Sequence, residues 1–137
     1  MVYKNTFIQI APDSETTSGI IPESNRKPVP IHMIEYQLLS ENPYRFDHED
    51  LIFEVFLTRQ GVSDEERASR GDVIHAELFQ KEHPCLRASA LTKRYGWGAH
   101  YDEHGKIALY AVDSAEYKHF VESCPNQLLA MRSKRQN

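Results

Sequence analysis

The sequence predicts an α+β fold: a single compact domain in which a small antiparallel sheet, containing a hairpin over 98–112, packs against about four helices. Three observations predict it. Capped segments with apolar residues at spacings of three and four recur through the middle of the chain. From Gly98 to Val112 the pattern changes to two extended stretches around Asp102-Glu103-His104-Gly105. Helices and strands do not alternate strictly, which argues against a doubly wound sheet. A chain of 137 residues, 40% apolar and 26% charged, is the size of one domain and can bury one core. That composition excludes disordered, collagenous and membrane-bound classes.

The elements follow in order. Thr6-Phe7-Ile8-Gln9-Ile10 alternates loosely and is β-branched and aromatic, as a strand requires. Residues 12–30 carry Pro12, Gly19, Pro22, Pro28 and Pro30 among Ser, Thr and Asn, so they predict a long surface arm strapped over the core. Pro30 suits the first helical position, and Ile31, Ile34 and Leu38 form one face of a helix reaching Ser40. After Asn42-Pro43, Asp47 is placed to cap a second helix through the Asp50 amide, with Phe46 and Leu51 as a hydrophobic staple. That helix should end near Arg59. Ser63 and Glu66 form a capping-box pattern before a third helical region, with a break expected at Gly71 and an apolar stripe at Val73, Ile74, Leu78 and Phe79. In the hairpin turn, Gly105 is suited to positive φ. Asp113 and Glu116 fit the cap of a last helix whose apolar face is Tyr117, Phe120 and Val121.

Charge is segregated along the chain. The formal net charge is −4, yet residues 47–82 hold ten acids against four bases, and residues 83–101 hold Arg87, Lys93 and Arg94 with no acid. Arg132, Lys134 and Arg135 give residues 130–137 the character of a basic tail. One basic face is therefore available to an acidic partner, or else these bases offset acidic helices elsewhere. Nucleic acid is weakly supported as a partner. The longest apolar uncharged run, Ile107 to Val112, is far short of the ~20 residues a membrane helix needs. No basic segment leads into an apolar stretch after Met-Val-Tyr-Lys-Asn-Thr, so a cytoplasmic location is expected. Two cysteines, Cys85 and Cys124, are too few for a disulfide framework and are expected to be free thiols.

The run Pro84-Cys85-Leu86-Arg87-Ala88-Ser89-Ala90-Leu91-Thr92-Lys93-Arg94-Tyr95-Gly96-Trp97-Gly98 resembles an uncharacterised family of small bacterial proteins, a domain of unknown function. The resemblance rests on Lys93-Arg94-Tyr95-Gly96-Trp97-Gly98, on Gly105-Lys106-Ile107-Ala108-Leu109-Tyr110, and on the final block Ala130-Met131-Arg132-Ser133-Lys134-Arg135. Asn5-Thr6-Phe7-Ile8 and Asp50-Leu51-Ile52-Phe53 look similar too. It implies one intact domain and brings no activity, substrate or cofactor with it.

The leading candidate site is the basic aromatic block, residues 87–100, read as a platform for a small anionic or nucleotide-like ligand. Tyr95 and Trp97 offer stacking faces, Arg87, Lys93 and Arg94 offer donors to an anion, and His100 lies at the end of the block. The alternative is that Trp97 only completes a hairpin core and the protein is a structural or interaction module. Arg87, Ser89 and Thr92 suit a phosphate or a carboxylate, although neither G-x-x-x-x-G-K-[ST] nor G-x-G-x-x-G occurs; local backbone bonding explains the hydroxyls equally well. Cys85 with His83 or His100 is the least favoured reading, a thiol enzyme. Seven histidines carry no H-E-x-x-H and no Cys-x-x-Cys, so neither a metal nor another cofactor is expected. Asp47, Glu49 and Asp50 are explained by a helix start, and Tyr101 and Tyr110 are ordinary hairpin residues that either pack or line a pocket.

Overall fold

The computed structural model describes residues 3–134. Strand β1 (Thr6–Gln9) is followed by an irregular arm, then helices α1 (Ile31–Glu41), α2 (His48–Gln60) and α3 (Asp64–Leu78). A single 3-10 turn at Leu86–Ala88 leads into a short helix, α4 (Ala90–Arg94). The hairpin β2 (Trp97–Tyr101) and β3 (Ile107–Ala111), helix α5 (Ala115–Ser123) and strand β4 (Asn126–Leu129) complete the chain. The sheet order is β3-β2-β1-β4.

The α+β expectation holds, with a sheet that is mixed. β1 runs antiparallel to β2 with Phe7 opposite His100, and parallel to β4 with Phe7 opposite Gln127. Strand alternation sorts the side chains onto two faces. Ile8, Ala99, Tyr101 and Ile107 face α1 and α2 and join Ile34, Leu39, Leu51, Val55 and Leu86 in the main core. Phe7 lies on the other face, its ring 5.0 Å from Tyr117 and 5.5 Å from Phe120 of α5.

The caps decide where helices begin. Asp47 accepts from the Asp50 amide at 2.8 Å, and the Asp50 side chain accepts from the Asp47 amide at 3.3 Å, a complete capping box. Asp47→Ala is expected to cost about 1 kcal/mol, read as a lowered urea midpoint with unchanged slope. α3 is continuous through Gly71, because a lone glycine weakens a helix by only ~1 kcal/mol and the Ser63 cap and flanking turns outweigh it. The cap of α5 is Ser114, which accepts from the Tyr117 amide, and not Asp113. Asp113 instead accepts from the Gly19 amide of the arm at 3.3 Å. This start leaves Val121 38% exposed, off the face that Tyr117 buries. α4 and β4 carry no sequence signal long enough to predict them.

The arm is laid down by few bonds. The Ile20 amide donates to the Tyr95 carbonyl at 2.8 Å, and the Trp97 indole N–H donates to the Ile20 carbonyl at 2.8 Å. The end of the chain crosses the arm's root, where Asp13 accepts from the Ser133 and Lys134 amides, each at 3.0 Å. Of the basic tail, Arg135 and the two residues after it lie outside the described residues. Among the described residues no helix is long and apolar enough to cross a membrane.

Candidate functional site

The basic aromatic block is contiguous in sequence, and the fold spreads it over four places. Arg87 lies on the loop before α4, where its Nε donates to the Leu129 carbonyl at 2.8 Å. Lys93 and Arg94 line an open groove of about 530 Å³ with residues 13–18 of the arm, Ser133 and Lys134. Tyr95 packs 4.9 Å from His32, and the indole of Trp97 packs against Tyr36 and Gly19 under the arm. Three residues beyond Trp97, His100 points to the opposite face of the sheet. There it stacks on Phe120 at 4.0 Å and hydrogen-bonds Tyr44, whose hydroxyl also bonds Tyr110 at 2.8 Å. Burial holds the His100 imidazole below its ordinary pKa, so this network holds a neutral ring.

Two cavities flank the loop 83–88, and they share His83, Pro84, Cys85 and Ala88 as a wall. The first, of about 500 Å³, lies between this loop, the start of α2 and Met131. Arg87, Tyr3, Cys85 and Tyr101 line it. The Tyr3 hydroxyl sits 3.5 Å from the Cys85 thiol. Burial foremost, then the neighbouring Cys85, pushes the Tyr3 phenol up to about 12, against a lowering by Arg87. Tyr101 has no exposed surface, and its hydroxyl has no hydrogen-bond partner among the described residues. Burial, helped by Cys85, Tyr3 and Glu35, drives its pKa well above the usual phenol value, against a lowering by the Leu86 backbone. A buried hydroxyl left unpaired costs ~1–3 kcal/mol, and this one belongs to a residue that lines the cavity.

The second cavity, of about 370 Å³, lies between α1, α2 and the loop leading into α4. Its walls are mainly apolar, from Leu51, Ile52, Val55 and Phe56 of α2 and Ile31 of α1. Into it α1 places Glu35, whose Oε1 accepts from Ser89 Oγ at 2.7 Å. Burial raises the Glu35 carboxyl from 4.5 to about 7, and the Ser89 hydrogen bond only partly offsets this. Ser89 is shared, because its Oγ also accepts from the Leu91 amide as the cap of α4. Sequence reasoning passed over Glu35. The signal was present: Glu35 stands four residues after Ile31 and three before Leu38, inside the apolar stripe of its own helix.

The remaining candidates separate. His83 and Cys85 line the same cavities, but His83 Nε2 donates to the Leu78 carbonyl at 2.6 Å, and no hydrogen bond joins ring and thiol. His100 lies across the sheet from Cys85's neighbour Tyr101. Cys124 Sγ donates to the Asn5 carbonyl at 3.3 Å. Among the described residues no three His, Cys, Asp or Glu side chains converge as a metal-holding group.

Fold and cavities together define a small α+β sheet domain, covered by helices on both faces, with two ligand-sized cavities under one loop. The chain belongs to DUF6157, a family of unknown function whose model matches residues 1–136. No curated protein and no solved structure matches it.

Proposed function

We propose that this protein is a binding domain for a small anionic ligand held in the 500 Å³ cavity by Arg87, Tyr3 and Tyr101. One observation carries the reading: the fully buried Tyr101 hydroxyl has no partner among the described residues, and Tyr101 lines a cavity that Arg87 also lines. A carboxylate or phosphate oxygen would accept from that hydroxyl, and the positive charge of Arg87 would offset its own. The reading keeps Arg87 from the sequence expectation and replaces the Trp97 stacking face with two phenols. The cavity is of the size that small-molecule sites have.

Calorimetric titration of inorganic phosphate, succinate and adenosine monophosphate tests it. At least one of these anions is expected to bind, and Arg87→Ala to abolish that binding. Tyr101→Phe is expected to weaken it about ten-fold while leaving the free protein as stable or more stable, since it deletes an unpaired polar atom. Failure of all three to bind, or binding untouched by either substitution, would refute the reading.

A second reading is favoured by the groove where Lys93, Arg94 and Lys134 come together. There a phosphate group would be held in open solvent, with an affinity that falls steeply with salt. Arg94→Ala removes this binding and spares that in the Tyr101 cavity, so the same titration separates the two.

A further inference from the structure

We infer that the cavity between α1, α2 and the loop 83–90 is a second ligand site, independent of the first, which takes a small organic cation: an amidine or ammonium head on a flat apolar body. The head would pair with Glu35 and the body would lie on Leu51, Val55 and Phe56. Glu35 is the one carboxylate lining this cavity, and its only hydrogen bond among the described residues is from Ser89 to Oε1. Oε2 is left to accept from a ligand N–H, and an amidine presents two N–H groups in a plane that matches a carboxylate. The cavity's volume of about 370 Å³ suits a ligand of one or two rings.

The other charged or titratable groups facing Glu35 do not supply that partner. Arg59 of α2 is turned to the Val29 carbonyl, its Nε at 3.3 Å. His32 of α1 is held below its ordinary pKa by burial, and by Arg94 and Arg26, so it stays neutral at pH 7. His83 is committed to Leu78, and Cys85 lies toward Tyr3. A carboxyl in an apolar wall with no cation beside it raises its pKa in place of ionising freely, and an arriving cation reverses that.

The test uses benzamidine as the probe, with benzamide and benzoate as its neutral and anionic counterparts of the same shape. Heteronuclear NMR of the full chain, labelled with nitrogen-15, follows the titration. Benzamidine is expected to move the amides of Ile31, Glu35 and Ala88. Its affinity should rise about ten-fold from pH 6 to pH 8 as Glu35 ionises. Glu35→Gln, isosteric and uncharged, is expected to lose about ten-fold in affinity at pH 8 together with the pH dependence. Ser89→Ala removes the Oε1 bond and should retain benzamidine binding. Equal binding of benzamide or benzoate overturns the inference, as do shifts confined to other residues or a Glu35→Gln protein that binds as the native one does. Tyr101→Phe should leave the benzamidine titration unchanged, so failure of the anion site and failure of this one are told apart.

Discussion

Gly96→Ala is expected to destabilise the protein by about 3 kcal/mol. Two costs combine. Gly96 has φ 78, a left-handed conformation that costs an alanine ~1–2 kcal/mol. A Cβ there would also press on the Ser18 carbonyl group and come within 3.2 Å of Thr16 Oγ1, both backed by the arm. Overpacking of this kind adds ~1–3 kcal/mol, and relief comes only by lifting the arm away. Lifting it breaks the Ile20–Tyr95 and Trp97–Ile20 hydrogen bonds, so the loss should appear together with a red shift of the single tryptophan's emission. Gly61→Ala is the control. It has a similar φ of 66 with no atom within 4 Å of the added methyl, and should cost only ~1 kcal/mol in urea unfolding.

This glycine also marks where the sequence stopped being informative. β1, α1, α2 and the hairpin were legible because their signals are local: a cap three residues from its amide, an apolar stripe, a turn with a glycine. β4 was not, since three residues of Asn-Gln-Leu-Leu are exposed and its partner β1 lies about 120 positions away in the chain, paired in parallel. Nothing within four residues records a pairing that distant. The same limit governs the site. In Lys93-Arg94-Tyr95-Gly96-Trp97-Gly98 the spacing was visible, and a hairpin place for Trp97 was one of its two readings, but not that His100 would meet Phe120 and Tyr44 on the face opposite Trp97. Arg87 kept its place in the candidate site because it lies on a loop beside a cavity. Glu35, Ser89 and Tyr101 come from a helix, a cap and a strand, and only the tertiary fold brings them under one loop. Ser89 and Tyr101 were legible only as a hydroxyl on a loop and a hairpin residue with more than one reading each, and Glu35 left its trace as a charge on an apolar helical face.

That charge should make stability depend on pH in a way one substitution isolates. With its pKa raised from 4.5 to about 7, the Glu35 carboxyl binds a proton more tightly in the folded chain than in the unfolded one. Its contribution to stability is therefore fully present below about pH 4.5 and is lost as pH rises through about 7. Glu35→Gln, which cannot ionise, is expected to match the native protein near pH 4.5 and to exceed it by about 2–3 kcal/mol at pH 8, measured by urea unfolding at each pH. The native curve alone would not reveal this. His32, His48 and His100 have pKa values lowered mainly by burial, so they add stability as pH rises toward 6.5 and oppose the Glu35 trend. Subtracting the two proteins' curves cancels the histidines and leaves the carboxyl. A flat difference would place Glu35 in water, and with it would go the reason for a cation to enter the cavity. A difference that grows with pH and shrinks when benzamidine saturates the native protein would identify the ionised carboxylate as the group that receives it.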